Sequence, residues 1–164
     1  MKKNSIIAEI GVDHGEFSKK ILQICKPQKL HLIDLWGSER YHSGLRKLVE
    51  GKFRNEINKG IVEINVGLST VVVNNFKDNY FDWVYIDTAH SYDVTKSELK
   101  KYRKKIKQSG FIAGHDFVIG NWNDRIRYGV IDAVYEFCVK NNWEFIYLTM
   151  DYKESISFAI RRIL

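Results

Sequence analysis

The chain has 164 residues, of which 45% are hydrophobic and 28% are charged, and its formal net charge is +6. This length and composition are typical of one globular domain and exclude a low-complexity chain. No stretch approaches the roughly 20 apolar residues of a membrane span and no signal-peptide core is visible, so we expect a cytoplasmic protein.

Strand-like and helix-like segments alternate along the chain. Apolar runs predict buried strands over 5–11, 30–36, 61–67, 81–87 and 110–116. Apolar residues at helical spacing predict helices that contain Phe17, Ile21 and Ile24, part of 38–59, 69–76, Val94 to Ile106, and Val130 to Cys138. Segment 118–127 has no period and is predicted as a loop, and 143–150 and 155–163 as a terminal antiparallel hairpin.

Five strand–helix alternations predict an α/β fold, with a doubly wound, mainly parallel sheet and helices on both faces. No repeat or domain boundary is visible, so residues 1–164 are expected to form a single domain. In such sheets, ligands bind beyond the carboxyl ends of the strands, near the point where the strand order reverses. Polar residues that directly follow the strands are therefore the candidate functional residues.

The first strand–helix turn contains Glu9, Gly11 and Gly15. Glycines suit a sharp turn that a ligand approaches closely. The dinucleotide motif G-x-G-x-x-G is absent, because Asp13 stands where its middle glycine would be, and an acidic residue there disfavours a pyrophosphate. A purely structural turn remains an alternative at this point.

The second strand ends at Asp34, where a carboxylate can accept hydrogen bonds from both hydroxyls of a ribose. A surface aspartate with no ligand is the alternative. Taken together, the glycine turn and this acidic strand end favour an adenosine-type ligand without a pyrophosphate.

Asp87 and His90 follow the fourth strand, and His115 and Asp116 close the fifth. Neighbouring strands that end on these residues bring carboxylates and imidazoles into one crevice. Such a cluster could hold a divalent cation, with oxygen ligands favouring magnesium or manganese. Alternatively, His90 or His115 could act as a general base, or a histidine could have a structural role alone.

Five segments, "AEIGVDHGEFS", "HLIDLW", "FDWVYIDTAHSYD", "GFIAGHDF" and "GVIDAVYEF", together resemble the class I S-adenosylmethionine-dependent methyltransferases. More narrowly, they are similar to the small-molecule O-methyltransferases that include macrolide and aminocoumarin sugar methyltransferases and cephalosporin-biosynthesis relatives. The similarity extends over nearly the whole chain. It implies a Rossmann-like, seven-stranded sheet whose last strand is antiparallel, which agrees with the predicted hairpin.

The resemblance also implies the roles of individual residues. Glu9, Gly11 and Gly15 would hold the methionine end of S-adenosylmethionine, and Asp34, followed by Leu35, would bind its ribose. The remaining cofactor-binding candidates are Gly67, Leu68 and Ser69, which would lie near the adenine or ribose, and Asp87. In metal-dependent relatives Mg²⁺ is held at the positions of Asp87, His115 and Asp116.

Two features depart from that group. The acidic pair after the fifth strand is His115–Asp116, which leaves one carboxylate fewer for a metal, and the position of the usual catalytic carboxylate is Ala89. We therefore expect His90 or His115 to take the proton. Few residues precede the first strand, so we expect a domain without an N-terminal cap over the substrate. A homo-oligomer that supplies this cover is left open.

The leading hypothesis is methyl transfer from S-adenosylmethionine to a hydroxyl of a small molecule, such as a sugar. A non-catalytic binding module with the same fold and a metal-dependent hydrolase are the alternatives. A nucleic-acid acceptor is disfavoured, because only the +6 charge supports it and no N-P-P-Y-type motif is present. A membrane partner is not expected.

Overall fold

A computed structural model describes residues 3–123, 125–150 and 155–163 of the protein. The strands are β1 Ile6–Ile10, β2 Lys29–Asp34, β3 Val62–Val66, β4 Phe81–Ile86, β5 Ile106–Gly114, β6 Gly120–Asn121, β7 Ile126–Arg127, β8 Trp143–Leu148 and β9 Phe158–Arg162. The helices are α1 Glu16–Cys25, α2 Ser43–Lys52, α3 Arg54–Asn58, α4 Ser69–Val72, α5 Tyr92–Tyr102 and α6 Val130–Asn141, with a 3₁₀ turn at Val73–Asn75.

Seven strands form one sheet in the order β3-β2-β1-β4-β5-β9-β8. The pairs from β3 to β5 are parallel, whereas β9 is antiparallel to both β5 and β8. The order reverses between β1 and β4, so the carboxyl ends of these two strands border the crevice where doubly wound sheets bind ligands. The predicted α/β fold, with its terminal antiparallel hairpin, is confirmed.

Helices cover both faces of the sheet, and each face has its own apolar core. On one face, α4, α5 and α6 bury Val72, Leu99 and Val134 against the sheet. On the other face, α1 and α2 bury Ile21 and Leu45. The central strands β1 and β4 are buried on both faces, which explains why their sequences are nearly continuous apolar runs.

Three details of the sequence-based prediction are wrong. Segment 38–59 contains two helices, α2 and α3, and segment 118–127 contains the small β6–β7 hairpin. Ile106 opens β5 and does not belong to α5, because the apolar residues that follow Tyr102 enter the sheet. The predicted helix that contains Phe17, Ile21 and Ile24 is confirmed as α1, in which Ile24 is 68% exposed because Ile21 and Cys25 occupy the buried face.

Both cysteines, Cys25 and Cys138, are buried. Residues 151–154 of the predicted terminal hairpin lie outside the described residues. Among the helices of the described residues, none combines the length and apolar character needed to cross a membrane.

Candidate active site

The fold brings most of the predicted site residues to one edge of the sheet. The strands β1, β2, β3, β4 and β5 run in the same direction, so their carboxyl ends meet there. Backbone hydrogen bonds join the loops that leave this edge: the Asp87 N–H donates to the Ile10 carbonyl at 2.8 Å, and the Gly67 N–H to that of Asp34 at 2.9 Å. The residues after the strands therefore form one continuous surface.

The β1–α1 turn depends on its two glycines. Gly11 has a φ of +85°, and a Cβ at this position would lie 1.8 Å from the Asp87 carbonyl oxygen. Gly15 also has a positive φ of 74° and precedes α1, whose first turn has no side-chain cap. Gly11 thus permits close contact with the loop after β4, and Gly15 leaves backbone N–H groups of α1 available to an anionic group.

Glu9 lies in the protein interior and not on the surface of the edge. Its side chain is 2% exposed, and its Oε2 accepts a 2.5 Å hydrogen bond from Ser18 Oγ. Burial, opposed by this bond, raises the pKa of Glu9 to about 8. At neutral pH the carboxyl is therefore mostly protonated, and it anchors α1 to the sheet beneath the glycine turn.

Asp34 joins the loops that follow β1 and β2. Its Oδ2 accepts from the Val12 N–H at 2.8 Å, and its Oδ1 accepts from the Trp36 N–H at 3.0 Å. A carboxylate has about four acceptor sites, so capacity remains for a hydroxyl donor. Leu35 and Leu68, on the loops that follow β2 and β3, are 48% and 55% exposed and offer apolar surface next to it.

Glu98 is a residue of the site region that the sequence analysis missed. It is fully buried on α5, where it accepts hydrogen bonds from Ser69 Oγ at 2.5 Å and Thr88 Oγ1 at 2.9 Å. Burial raises the pKa of Glu98 despite these bonds. Glu98 therefore joins the loop after β3 to the loop that carries Asp87. A glutamate within a basic amphipathic helix gives no sequence signal for this role.

His90 bridges two carboxylates at the carboxyl ends of β4 and β5. Its Nε2 lies 3.1 Å from Asp87 Oδ1 and 2.9 Å from Asp116 Oδ2. His90 and Asp116 both have positive φ values, 55° and 54°, and such conformations are uncommon outside glycine. The bend in each loop turns the two side chains toward one another.

The electrostatics of this cluster favour an imidazolium between two carboxylates. Burial opposes a charge on His90, but the hydrogen bonds to Asp116 and Asp87 outweigh it and raise its pKa to about 9. Burial also opposes ionisation of Asp116, yet the hydrogen bonds from His115, His90 and Ser155 hold its pKa well below the usual range. His90 is thus mainly protonated at neutral pH.

His115 lies farther from the carboxylates than His90 does. Its Nδ1 is 3.5 Å from Asp116 Oδ2 and 3.8 Å from Asp87 Oδ2. Its hydrogen bond to Asp116 raises its pKa, while burial opposes the change. The ring of Tyr128 packs against the His90 ring, with the Tyr128 and His90 ring centroids 4.8 Å apart.

The residues at this position do not match the magnesium site that the resemblance implied. In the described part of the chain, the group whose ligand atoms lie within 4.8 Å of one another is Asp87, His90 and Asp116, so His115 is not part of it. Mg²⁺ prefers oxygen ligands in octahedral geometry, whereas this set contains an imidazole and two carboxylates already engaged with it.

The chemistry of the same edge fits S-adenosylmethionine. This cofactor carries a sulfonium and an ammonium, and the edge presents the carboxylates of Asp34, Asp87 and Asp116. The adenosine part needs acceptors for its ribose and apolar surface for its base, which Asp34, Leu35 and Leu68 offer. The uncapped start of α1 suits the carboxylate of the methionine part.

Comparisons with known proteins agree with this chemistry. Residues 8–117, more than half of the chain, match the profile of a family described as "Methyltransferase domain". No curated protein sequence matches the chain.

Solved structures share the fold at low sequence identity. A methyltransferase of Methanosarcina mazei has 13% identity and a TM-score of 0.74 over all of this chain and 95% of its own. The pyocyanin biosynthetic protein PhzM has 11% identity, a TM-score of 0.72 and 98% of this chain covered. The Bacillus subtilis M1A22 tRNA methyltransferase TrmK has 11% identity, a TM-score of 0.65 and 98% of this chain covered.

This chain spans 51% of PhzM and 61% of TrmK, so parts of both proteins have no counterpart in it. The family match begins within β1 and ends at Phe117, in the loop that contains Asp116, so it includes the carboxyl ends of β1 to β5. The chain belongs to the methyltransferase-domain family and shares the fold of solved S-adenosylmethionine-dependent methyltransferases.

Proposed function

We propose that the enzyme methylates a hydroxyl group of a small molecule and that His90 accepts the hydroxyl proton. The observation that carries this proposal is the position of the His90 ring between Asp87 and Asp116, at 3.1 and 2.9 Å, where the donor-binding edge meets the crevice. Bound S-adenosylmethionine supplies a methyl group on a sulfonium, which is open to in-line attack by an oxygen nucleophile.

The proposed donor site uses the residues whose backbone or side chains face the edge. Gly11 and Gly15 shape the turn at the methionine end, and Asp34 accepts hydrogen bonds from the ribose. The other proposed members are Leu35, Gly67, Leu68, Ser69 and Asp87. Glu9, because it is buried, supports this turn through Ser18 and does not contact the donor.

The proposed proton acceptor is Nδ1 of neutral His90. Its Nε2 faces the two carboxylates, so the neutral ring retains its proton there and leaves Nδ1 free of these contacts. Asp87 and Asp116 make the ring more basic and stabilise the imidazolium that forms. His115, the other histidine of the prediction, would act indirectly by holding Asp116 ionised.

The basicity of His90 supports an acidic hydroxyl as the acceptor. Because proton transfer follows Brønsted behaviour, a general base removes a proton more readily as the pKa of the hydroxyl falls toward that of the base. A base with a pKa of about 9 matches a phenol-type hydroxyl, with a pKa of about 10, better than a sugar hydroxyl. A sugar hydroxyl, which the resemblance implies, is the alternative acceptor.

An RNA acceptor is the second candidate. Trp122 is 80% exposed on the loop between β6 and β7, which follows Asp116 in the chain, and an exposed indole can stack on a base. The net charge of +6 and the fold shared with TrmK also support it.

The test measures transfer of a labelled methyl group from S-adenosylmethionine to phenols, sugars and short RNAs, with and without a chelator. We expect a phenolic acceptor to be labelled, and the rate to be unchanged by the chelator. Labelling of RNA alone would contradict the small-molecule proposal, and loss of activity with EDTA that Mg²⁺ restores would return the metal to the site.

A further inference from the structure

A cationic cavity lies at the edge of the sheet opposite the candidate active site. Arg103 and Lys104 stand between α5 and β5, Asn142 and Trp143 at the junction of α6 and β8, and Arg162 ends β9. They line a cavity of about 320 Å³. The six-residue strand β4, at about 3.3 Å per residue, separates the two edges by roughly 17 Å, so this cavity is distinct from the methyl-transfer site.

Neutral groups hold the two arginines of the cavity in place. Arg162 Nη2 donates to the Arg103 carbonyl oxygen at 2.6 Å, and its guanidinium carbon lies 5.7 Å from the ring centroid of Trp143. Arg103 Nη1 donates to Asn141 Oδ1. These contacts orient both guanidinium groups without neutralising their charges.

The cations of this cavity differ from other cations close to them in the chain. Lys105 pairs with Asp78, and Arg161 pairs with Glu144, each within 3 Å. Within the described ranges, by contrast, no carboxylate lies within 4.0 Å of the charged groups of Arg103, Lys104 or Arg162. Among the described residues these positive charges therefore share the cavity without a counter-ion and repel one another, and a bound anion would relieve that repulsion.

We propose that this cavity binds a phosphate group. Guanidinium groups donate paired hydrogen bonds that match phosphate oxygens, and the Lys104 ammonium adds a further charged donor. The side chain of Asn142 supplies a neutral donor in the same lining. The proposal does not depend on which acceptor the enzyme methylates, because no residue of the cavity belongs to the candidate active site.

The test titrates the full chain, labelled with ¹⁵N, with inorganic phosphate at constant ionic strength and follows the backbone and arginine side-chain NMR signals. Arg162→Gln and Lys104→Gln each remove one cation of the cavity. The matched control is Arg161→Gln, which makes the same change one residue away, on the opposite face of β9. The NMR spectrum of each variant also reports whether it is folded.

We expect saturable shifts at Arg103, Asn142 and Arg162. Each cavity variant should weaken binding by about tenfold or more, since it removes a charged hydrogen-bond donor to the phosphate, and Arg161→Gln should leave binding unchanged. Lys104 is exposed, so its variant remains informative if Arg162→Gln fails to fold.

Two results would overturn the proposal: no saturable shift at these residues, or equal weakening by the cavity variants and by Arg161→Gln, which would indicate net charge alone. A second titration, with a short single-stranded RNA, identifies the source of the phosphate. Shifts of the same signals at much lower concentration than with inorganic phosphate indicate a nucleic-acid backbone. Comparable or weaker shifts indicate a free phosphate compound.

Discussion

The carboxyl groups at the carboxyl edge of the sheet differ from those just beneath it. Asp116 is largely buried, yet its contacts with His90 and His115 keep its pKa below the usual range. Glu9 and Glu98 are buried more completely, and burial raises the pKa of both, in the case of Glu9 to about 8. Aspartate at the edge thus remains charged, whereas the interior favours the protonated form of glutamate.

The difference comes from the partners and not from burial alone. Asp116 faces the imidazoles of His90 and His115, and the protonated His90 compensates its charge. Glu9 and Glu98 face the hydroxyls of Ser18, Ser69 and Thr88, which donate hydrogen bonds but bring no charge. An isosteric change from acid to amide should therefore be costly at the edge and mild in the interior.

The largest expected effect is that of His90→Gln, which removes the imidazole that contacts both Asp87 and Asp116. We expect the methyl-transfer rate to fall by about 10²- to 10⁴-fold, the usual contribution of a general base. Affinity for S-adenosylmethionine, measured by calorimetry, should remain within about twofold, because the proposed mechanism assigns His90 to the acceptor and not to the donor. If the affinity for S-adenosylmethionine fell as much as the rate, the result would indicate that His90 belongs to the donor site.

Asp116→Asn should change the pH dependence of the reaction. The wild-type rate should rise with pH through the His90 pKa of about 9, because only neutral His90 can accept a proton. Removal of the Asp116 charge disfavours the imidazolium and lowers this pKa, so the rising limb moves to lower pH by about one unit or more. A pH–rate profile measures the shift, and NMR titration of the imidazole checks its origin. An unchanged profile would contradict the role of His90.

Glu98→Ala should have a moderate effect through the loops it joins. Loss of the acceptor leaves the hydroxyls of Ser69 and Thr88 unpaired, at a cost of about 1–3 kcal/mol in unfolding free energy. The KM for S-adenosylmethionine should also rise, since Ser69 belongs to the proposed donor site. Glu98→Gln, which keeps an acceptor oxygen, is the matched control. Its unfolding free energy and its KM for S-adenosylmethionine should both lie close to the wild-type values. Equal losses in the two variants would instead show that Glu98 acts through its charge.

The smallest effect on methyl transfer is expected from Glu9→Gln, whose effect on stability depends on pH. In the unfolded chain Glu9 loses its proton near pH 4.5, whereas in the folded protein it keeps the proton to about pH 8. The unfolding free energy of the wild type should therefore fall as pH rises between these values and be independent of Glu9 above them. Glu9→Gln should reduce this fall, as thermal unfolding at pH 5 and pH 8 would measure.

The matched control for that series is Glu16→Gln. Glu16 is exposed on α1, and its bond to Lys52 lowers its pKa, so it contributes no loss of stability between pH 5 and pH 8. The pH dependence of this variant should follow the wild type in that interval. A fall in Glu9→Gln as steep as in the wild type would assign the effect to another group.

Much of the fold could be predicted because the local patterns agree with the global arrangement. Apolar runs that end in glycine or aspartate identified β1, β2 and β4, and helical spacing identified α6. The errors fall where pattern and packing differ: Ile106 continues the spacing of α5 but opens β5, and 118–127 contains a hairpin of two residues per strand. Such short pairing has no periodic signal.

The amino-acid sequence was sufficient to predict the strand ends and the residue types that follow them, and a parallel sheet brings its carboxyl ends to one edge. Which of these residues meet depends on the tertiary structure. It placed His90, and not His115, between Asp87 and Asp116, and it buried Glu9 and Glu98 beneath them. These choices depend on loop conformations, such as the positive φ of His90 and Asp116, and on contacts distant in sequence, neither of which a local pattern contains.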